Sequence, residues 1–409
     1  MCDQREGDHR PEMPSRRDVL KGSLALAASP LLVGVASSAY AAQTSEPVGT
    51  GPTSARAYGA LKANSPLESM QIKRRAVGPN DVLLDVLYCG ICHSDIHHAH
   101  DEWNPIVPTA FPCVPGHEII GRVQAVGSAV TKFKVGDIGG VGCMVDSCGT
   151  CENCLDDREQ YCLKGSTVTY NGRDTVLGGH TFGGYSDKVV VTERFVIRIP
   201  PGADLAATAP LLCAGITTFS PMQHWKVAAG QRVGVIGLGG LGHVAVKLAV
   251  SRRADVTVFT TSPSKIADAK RLGATNAVLW SDSAAMKQLA NKFDYLISTV
   301  PQAYPMQQFI DVLKLDATLV NVGALDALQG VSGGGLIFGR KSIAGSAIGG
   351  IAETQEVIDY CAARNIKADI ELIRVEDINR AYDRVVDKDV RYRFVIDMAS
   401  LKVAGTTRS

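Results

Sequence analysis

Residues 231–250 read QRVGVIGLGGLGHVAVKLAV, and this stretch decides the fold. An apolar run from Val233 to Ile236 enters Gly237, Leu238, Gly239, Gly240, Leu241 and Gly242, and a helical apolar pattern follows at once. This is G-x-G-x-x-G between a strand and a helix, where each glycine has its own task. Gly237 permits the tight turn, Gly239 lets backbone approach a pyrophosphate, and Gly242 allows close helix packing. Free N–H groups and the dipole of the helix start then stabilise the phosphates. Further on, DVTVFTTSPSKIADAKRLGA (255–274), FDYLISTVP (293–301) with the segment after it, and ATLVNVGAL (317–325) continue the alternation. Strands alternating with helices predict βαβ units and a doubly wound parallel sheet.

The end of the second strand bears on the cofactor. An NAD site places Asp or Glu there, about twenty residues after the glycines, to bind the ribose 2′-OH. This chain has Thr260, Thr261, Ser262, Pro263, Ser264 and Lys265. Hydroxyls and a lysine suit a 2′-phosphate, and no carboxylate is present to repel it. NADP(H) is therefore the expected dinucleotide, with Thr260, Thr261, Ser262 and Lys265 among its contacts. The plainer alternative is that Lys265 decorates a solvated helix start.

Upstream, from about Ala57 to Pro201, short β-branched runs lie between Gly and Pro breaks. VLLDVLYCG (82–90), GRVQAVG (121–127) and DKVVVTERFVIRIP (187–200) are the clearest strands. Here Cys148, Cys151, Cys154 and Cys162 follow one another at steps of 3, 3 and 8. Four thiolates can close a tetrahedron around one Zn²⁺ with no position left open, which marks a structural site. Cys92, His117 and Cys213 are scattered, and Cys213 falls in AATAPLLCAGITTFSPMQHW (206–225), which has helical spacing. Two thiolates and an imidazole leave a fourth position free, as catalytic zinc sites do. Each of the three alone reads as an ordinary core residue; their neighbours sharpen the set. Glu118 follows His117 and can sit beneath the metal. Asp95 can accept the other ring N–H of a ligating histidine. Ser94 and His97 can pass a proton between a zinc-bound alcohol and solvent. Trp103 is expected in the substrate pocket, His93 near the cofactor, and His98 and His100 at the surface of a loop. The remaining Cys2, Cys89, Cys113, Cys143 and Cys361 read as small buried apolar residues.

The 409 residues carry a formal charge of +1 and are 45% hydrophobic, enough for two or three domains with a sizeable core. So little net charge gives no electrostatic reason to expect nucleic acid or an anionic membrane as partner. Residues 1–41 read as a targeting segment. Ser15-Arg16-Arg17-Asp18-Val19-Leu20-Lys21 resembles a twin-arginine export signal, with Val19 where Phe is more usual. An apolar run from Leu24 to Val35 follows, and Ala39-Tyr40-Ala41 offers a cleavage site. That run is too short for a stable membrane span. Recognition by the twin-arginine machinery and a periplasmic or exported location are expected, or a cytoplasmic one if the extension is not functional. Residues 42–56 read as a linker.

CGICHSDIHHAHDEW (89–103), PGHEIIGRVQAVG (115–127), KVGDIGGVG (134–142), the four-Cys lobe, LLCAGITTFSP (211–221), GLGGLGH (237–243) and DVRYRFVID (389–397) together resemble the zinc-containing medium-chain alcohol dehydrogenases. The nearest branch is the cinnamyl-alcohol-dehydrogenase-like, NADP-dependent aldehyde reductases, and the likeness runs from about Tyr58 to Met398. It implies a two-domain α/β protein: a GroES-like catalytic domain over 57–205, a Rossmann domain over 206–350, and a C-terminal return over 351–401. It also implies two zinc ions per chain, NADP(H) and a homodimer. Cys92, His117, Glu118 and Cys213 form the catalytic zinc site, Ser94 and His97 the relay. Thr217 lies near the nicotinamide and Arg391 at the cofactor's phosphates. The implied reaction interconverts primary alcohols and aldehydes, favouring reduction. A polyol dehydrogenase of the same superfamily is one alternative; an exported, non-catalytic dinucleotide-binding zinc protein is another. The export signal departs from the pattern, since members of this branch are usually cytoplasmic.

Overall fold

Six parallel strands form the sheet on which the glycine turn sits: Arg232–Ile236 (β1), Asp255–Thr260 (β2), Asn276–Leu279 (β3), Phe293–Ser298 (β4), Leu313–Asn321 (β5) and Ser342–Gly345 (β6). Their order is β3-β2-β1-β4-β5-β6, the doubly wound Rossmann arrangement. In this computed structural model, residues 51–403 are described. The expected export signal, and the linker as far as residue 50, lie outside them. Val233, Val235 and Ile236 of β1, Val256 and Val258 of β2 and Leu296 and Ile297 of β4 are fully buried. Continuous apolar runs are what a parallel sheet covered on both faces requires.

The other half is a seven-stranded sheet. Along it run Ile370–Arg374, Arg393–Asp397, Asp81–Gly90, Ile119–Val126, Ile138–Val141 and Ile197–Arg198, and Lys188–Thr192 pairs with Asp81–Gly90 off this path. The first two strands come from the C-terminal segment. An antiparallel hairpin, Thr53–Ala60 with Leu67–Arg74, flanks the sheet. It starts inside the stretch read as a linker: Ala55 and Ala57 bury one face against the core, although no run of strong β-formers announces them. Residues 187–200, read as one strand, are two. The chain turns through a short 3₁₀ helix at Glu193–Phe195. There Phe195 enters the core and the Glu193 carboxylate accepts the amides of Thr131 and Lys132 at 3.0 and 2.8 Å.

Between the halves lie Leu205–Thr208, a 3₁₀ turn at Ala209–Leu212 and the helix Ala214–His224. Every residue from Ala214 to Met222 is buried. That helix packs on Gly240–Ser251, which follows the glycine turn, and on Ile351–Ala363, whose Val357, Ile358 and Cys361 form a buried stripe. Among the described residues, no single helix is long and apolar enough to cross a membrane.

Candidate active site and metal centres

Cys148, Cys151, Cys154 and Cys162 gather so that their sulfurs lie within 4.8 Å of one another. Cys148 and Cys154 are 3.8 Å apart, and Cys151 and Cys162 are 4.0 Å apart. A tetrahedron with Zn–S near 2.3 Å has edges of about 3.8 Å, so the donor set fits one zinc. Backbone N–H groups of Thr150 and Cys151 hold the Cys148 thiol down at about 5, ready to bind as thiolate. No described cysteine is in a disulfide.

The second set is Cys92, His117, Glu118 and Cys213, all buried, with ligand atoms again within 4.8 Å. Cys92 precedes the helix His93–His100, His117 and Glu118 precede the strand Ile119–Val126, and Cys213 ends the 3₁₀ turn. Three separate elements thus supply a set that sequence distance had scattered. The two sulfurs are 3.9 Å apart, a distance that suits a shared zinc. Hydrogen bonding from Cys213, with the positive charges of Arg393 and His117 adding to it, holds the Cys92 thiol well below its ordinary value despite burial.

Asp95 organises this centre from behind. It is fully buried and accepts the Cys92 amide at 2.8 Å, the Gly116 amide at 3.1 Å, the Tyr185 hydroxyl at 3.0 Å and His117 Nδ1 at 3.1 Å. The last bond fixes the imidazole so that its other nitrogen faces the sulfurs. Glu118 pairs with the Arg393 guanidinium, and both are buried. Its carboxylate fills the space a Cβ on Gly90 would need, so only glycine fits there.

Around the centre, Ser94 Oγ lies 3.6 Å from Cys92 Sγ. His97 Nδ1 is 2.5 Å from Glu102 Oε2, and Glu102 Oε1 is 3.1 Å from His100 Nδ1. Burial pushes Glu102 up, but the hydrogen bonds from His97 and His100 outweigh it and leave its carboxyl below the usual range. His97 stacks on Trp103 at 4.9 Å. His98 and His100 are on the helix rather than on a surface loop. His98 is buried, bonded to Thr109 Oγ1 at 3.1 Å, and burial pushes it down to about 4. Thr217 is buried one helical turn beyond Cys213, its amide on the Cys213 carbonyl at 2.9 Å.

At the glycine turn, Gly237 has φ +91°, a backbone that L side chains rarely adopt, and a Cβ on Gly242 would strike the Gly237 carbonyl. A Cβ on Gly239 would meet nothing within 4 Å, which leaves that face open for a phosphate. Leu238 is buried in the core and Leu241 partly so. Beyond β2, Thr260 Oγ1 accepts the Ser262 amide at 3.1 Å, Ser262 and Ser264 hydroxyls are 2.9 Å apart, and Thr261 is exposed. Burial, with Arg391 and Lys388 close by, pushes Lys265 below its ordinary value. The facing carboxylate, Asp268, is taken by Arg391 at 2.7 Å.

The chain matches the alcohol dehydrogenase GroES-like domain over residues 78–201 and the zinc-binding dehydrogenase domain over residues 240–363. It is 50% identical over 348 residues to the aldehyde reductase YahK of Escherichia coli, covering 85% of this chain and 99% of that one. The chain belongs to the zinc-containing medium-chain alcohol dehydrogenases. Its likeness to solved structures places this alcohol dehydrogenase in the cinnamyl-alcohol-dehydrogenase-like branch. The enzyme SbCAD4 from Sorghum bicolor matches with TM-score 0.82 at 41% identity, over 85% of this chain and 98% of that one. A cinnamyl alcohol dehydrogenase from Helicobacter pylori, solved with NADP(H), matches with TM-score 0.80 at 40% identity, over 85% and 99%. Zinc and NADP(H) are the cofactors of this alcohol dehydrogenase, and the two thiolate-rich clusters and the open glycine turn fit them.

Three residues of this alcohol dehydrogenase escaped sequence reasoning. Arg393, not Arg391, reaches the glycine turn: its Nη1 would lie 2.6 Å from a Cβ on Gly240, while its other side holds Glu118. An arginine opening the apolar strand run RFVID was the available signal. Glu102 extends His97 toward solvent, five residues on in the turn after the helix. Cys143, expected to be a plain core cysteine, has its thiol 3.9 Å from the carbonyl oxygen of Leu212, the residue before Cys213, and nothing in its local sequence marks it.

Proposed function

We propose that this alcohol dehydrogenase interconverts primary alcohols and aldehydes with NADP(H) and works mainly as an aldehyde reductase. The observation that carries this is the buried Cys92–His117–Cys213 cluster with Ser94 beside it and the His97–Glu102–His100 chain close by. Bound zinc would supply a Lewis acid for the carbonyl oxygen, and NADPH would supply the hydride. The chain does the rest. Cys92, His117 and Cys213 hold the metal, and Asp95 fixes the imidazole that faces it. Ser94 hands a proton to the carbonyl oxygen during reduction and takes one from the hydroxyl during oxidation. His97, Glu102 and His100 connect that proton to solvent. Lys265, Lys388, Arg391 and the Thr260–Ser264 hydroxyls select the 2′-phosphate, and Arg393 steadies the pyrophosphate while neutralising Glu118.

Residues 1–41 direct export through the twin-arginine machinery to a periplasmic or external location. The support is Arg16-Arg17, the apolar run and Ala39-Tyr40-Ala41. The enzyme works as a homodimer joined along β6, a sheet edge that among the described residues pairs with β5 alone and is preceded in the chain by the exposed Ile337 and Phe338. Light scattering on the full chain tests the dimer.

Ser94→Ala tests the chemistry. Turnover of aldehyde with NADPH should fall by about 100-fold, the scale of a lost general acid. Zinc content and NADPH affinity should not change. An unchanged rate removes Ser94 from proton transfer.

A further inference from the structure

The stretch between the third and fourth cysteines of the four-Cys lobe makes three contacts with one short segment near the catalytic centre. The Asp157 carbonyl fills the place a Cβ on Gly350 would take. The Glu159 carboxylate, buried, accepts the Ile351 amide at 3.0 Å. The Tyr161 hydroxyl accepts the Ala347 amide at 3.1 Å. On its other side this segment presses against Ile216 of the helix that follows Cys213, where a Cβ on Gly349 would clash. Between the two clamps Ile348 is held at φ +38°, a backbone that β-branched residues avoid. Ile348 and Gly349 then line a small cavity with Cys143 and Leu212. The Cys143 thiol lies 3.9 Å from the carbonyl oxygen of Leu212, the residue before Cys213. A line of contacts thus runs from the zinc lobe to the residue that precedes Cys213.

We infer that Glu159 and Tyr161 are positioning residues for substrate selection. Held by the cysteine ligands on either side of them, they fix the backbone of residues 347–351. Through Ile348 they set the width of the wall opposite Cys143. The lobe is then a gauge for the size of aldehyde accepted, in addition to a stabiliser of the fold. This rests on the aldehyde-reductase reading of the site.

The test uses the zinc-loaded full chain with NADPH and acetaldehyde, benzaldehyde and cinnamaldehyde, alongside amide hydrogen exchange at residues 347 and 351. Tyr161→Phe and Glu159→Ala should each change the ratio of KM for cinnamaldehyde to KM for acetaldehyde by about five-fold, the scale of one lost hydrogen bond. kcat on acetaldehyde, zinc content and NADPH affinity should stay at wild-type values. Glu159→Gln keeps an acceptor and should restore the wild-type ratio. Exchange should speed up at residue 347 in Tyr161→Phe and at residue 351 in Glu159→Ala. Faster exchange with an unchanged KM ratio overturns the link to selection, and unchanged exchange overturns the clamp itself. Should either variant lose zinc or fail to fold, Ile348→Gly, outside the lobe, must still shift the ratio; an unshifted ratio there overturns the inference. If the wild type reduces no aldehyde, the functional reading fails, and the exchange rates alone decide the clamp.

Discussion

Asp95→Asn separates the two metal centres. In the wild type one carboxylate oxygen receives Gly116 N–H and His117 Nδ1–H, and the other receives Cys92 N–H and Tyr185 O–H. Asparagine has a single carbonyl oxygen. Placed toward Gly116 and His117, it leaves its NH₂ group facing two donors. The Tyr185 hydroxyl can rotate to accept, but the buried Cys92 amide cannot. One unpaired buried N–H costs about 1–3 kcal/mol. Removing the charge that supports His117 lowers zinc affinity by about 10- to 100-fold, or about 1.4–2.8 kcal/mol. The assay is competition with a chromophoric chelator at neutral pH, counting zinc per chain. One zinc should leave at a chelator concentration lower by that factor, while the four-Cys zinc titrates as in the wild type. Two zincs with wild-type affinities would refute the assignment of Asp95 as the support of His117.

Cys154→Ser should lower thermal stability far more than it slows the chemical step, because a closed four-thiolate site contributes folding energy; a fully stable variant with one zinc lost would contradict this. Acid should destabilise the fold through His243, which is fully buried, bonded to the Asp369 amide at 3.2 Å, stacked on Tyr392 and pushed down to about 4 by burial. The unfolded chain takes up this proton near pH 6.5 and the native one only near 4. Stability is therefore complete above pH 6.5 and falls as the pH drops toward 4, by about 3 kcal/mol for this group. Denaturant unfolding of His243→Gln should show a shallower pH slope across that window than the wild type; an equal slope would assign the acid sensitivity elsewhere.

Much of this was legible in the sequence because some chemistry tolerates few residue types. A strand followed by three spaced glycines and a helix has one economical reading, and four cysteines at short steps have little else to do than bind a metal. The scattered set was legible only through its neighbours, Ser94, Asp95 and Glu118. Contacts made between distant elements were not. Arg393 is paired with Glu118 across 275 positions of chain and touches Gly240 as well, a placement that only the return of the last strand beside Asp81–Gly90 creates. Cys143 reaches the Leu212 carbonyl because two distant segments pack together, and Thr53–Ala60 becomes a strand because the alternate alanines Ala55 and Ala57 find a core surface. His98 looked solvated among charged neighbours; Thr109, Trp103 and Tyr170 enclose it.

The proposed activity is NADP(H)-dependent aldehyde reduction at a zinc held by Cys92, His117 and Cys213. The most direct measurement is oxidation of NADPH against NADH by the zinc-loaded chain, with one aromatic and one short aliphatic aldehyde. Turnover should be fast with NADPH and slow with NADH. No turnover with either, despite two bound zincs, would contradict it, and a preference for NADH would contradict the reading of Thr260 to Lys265.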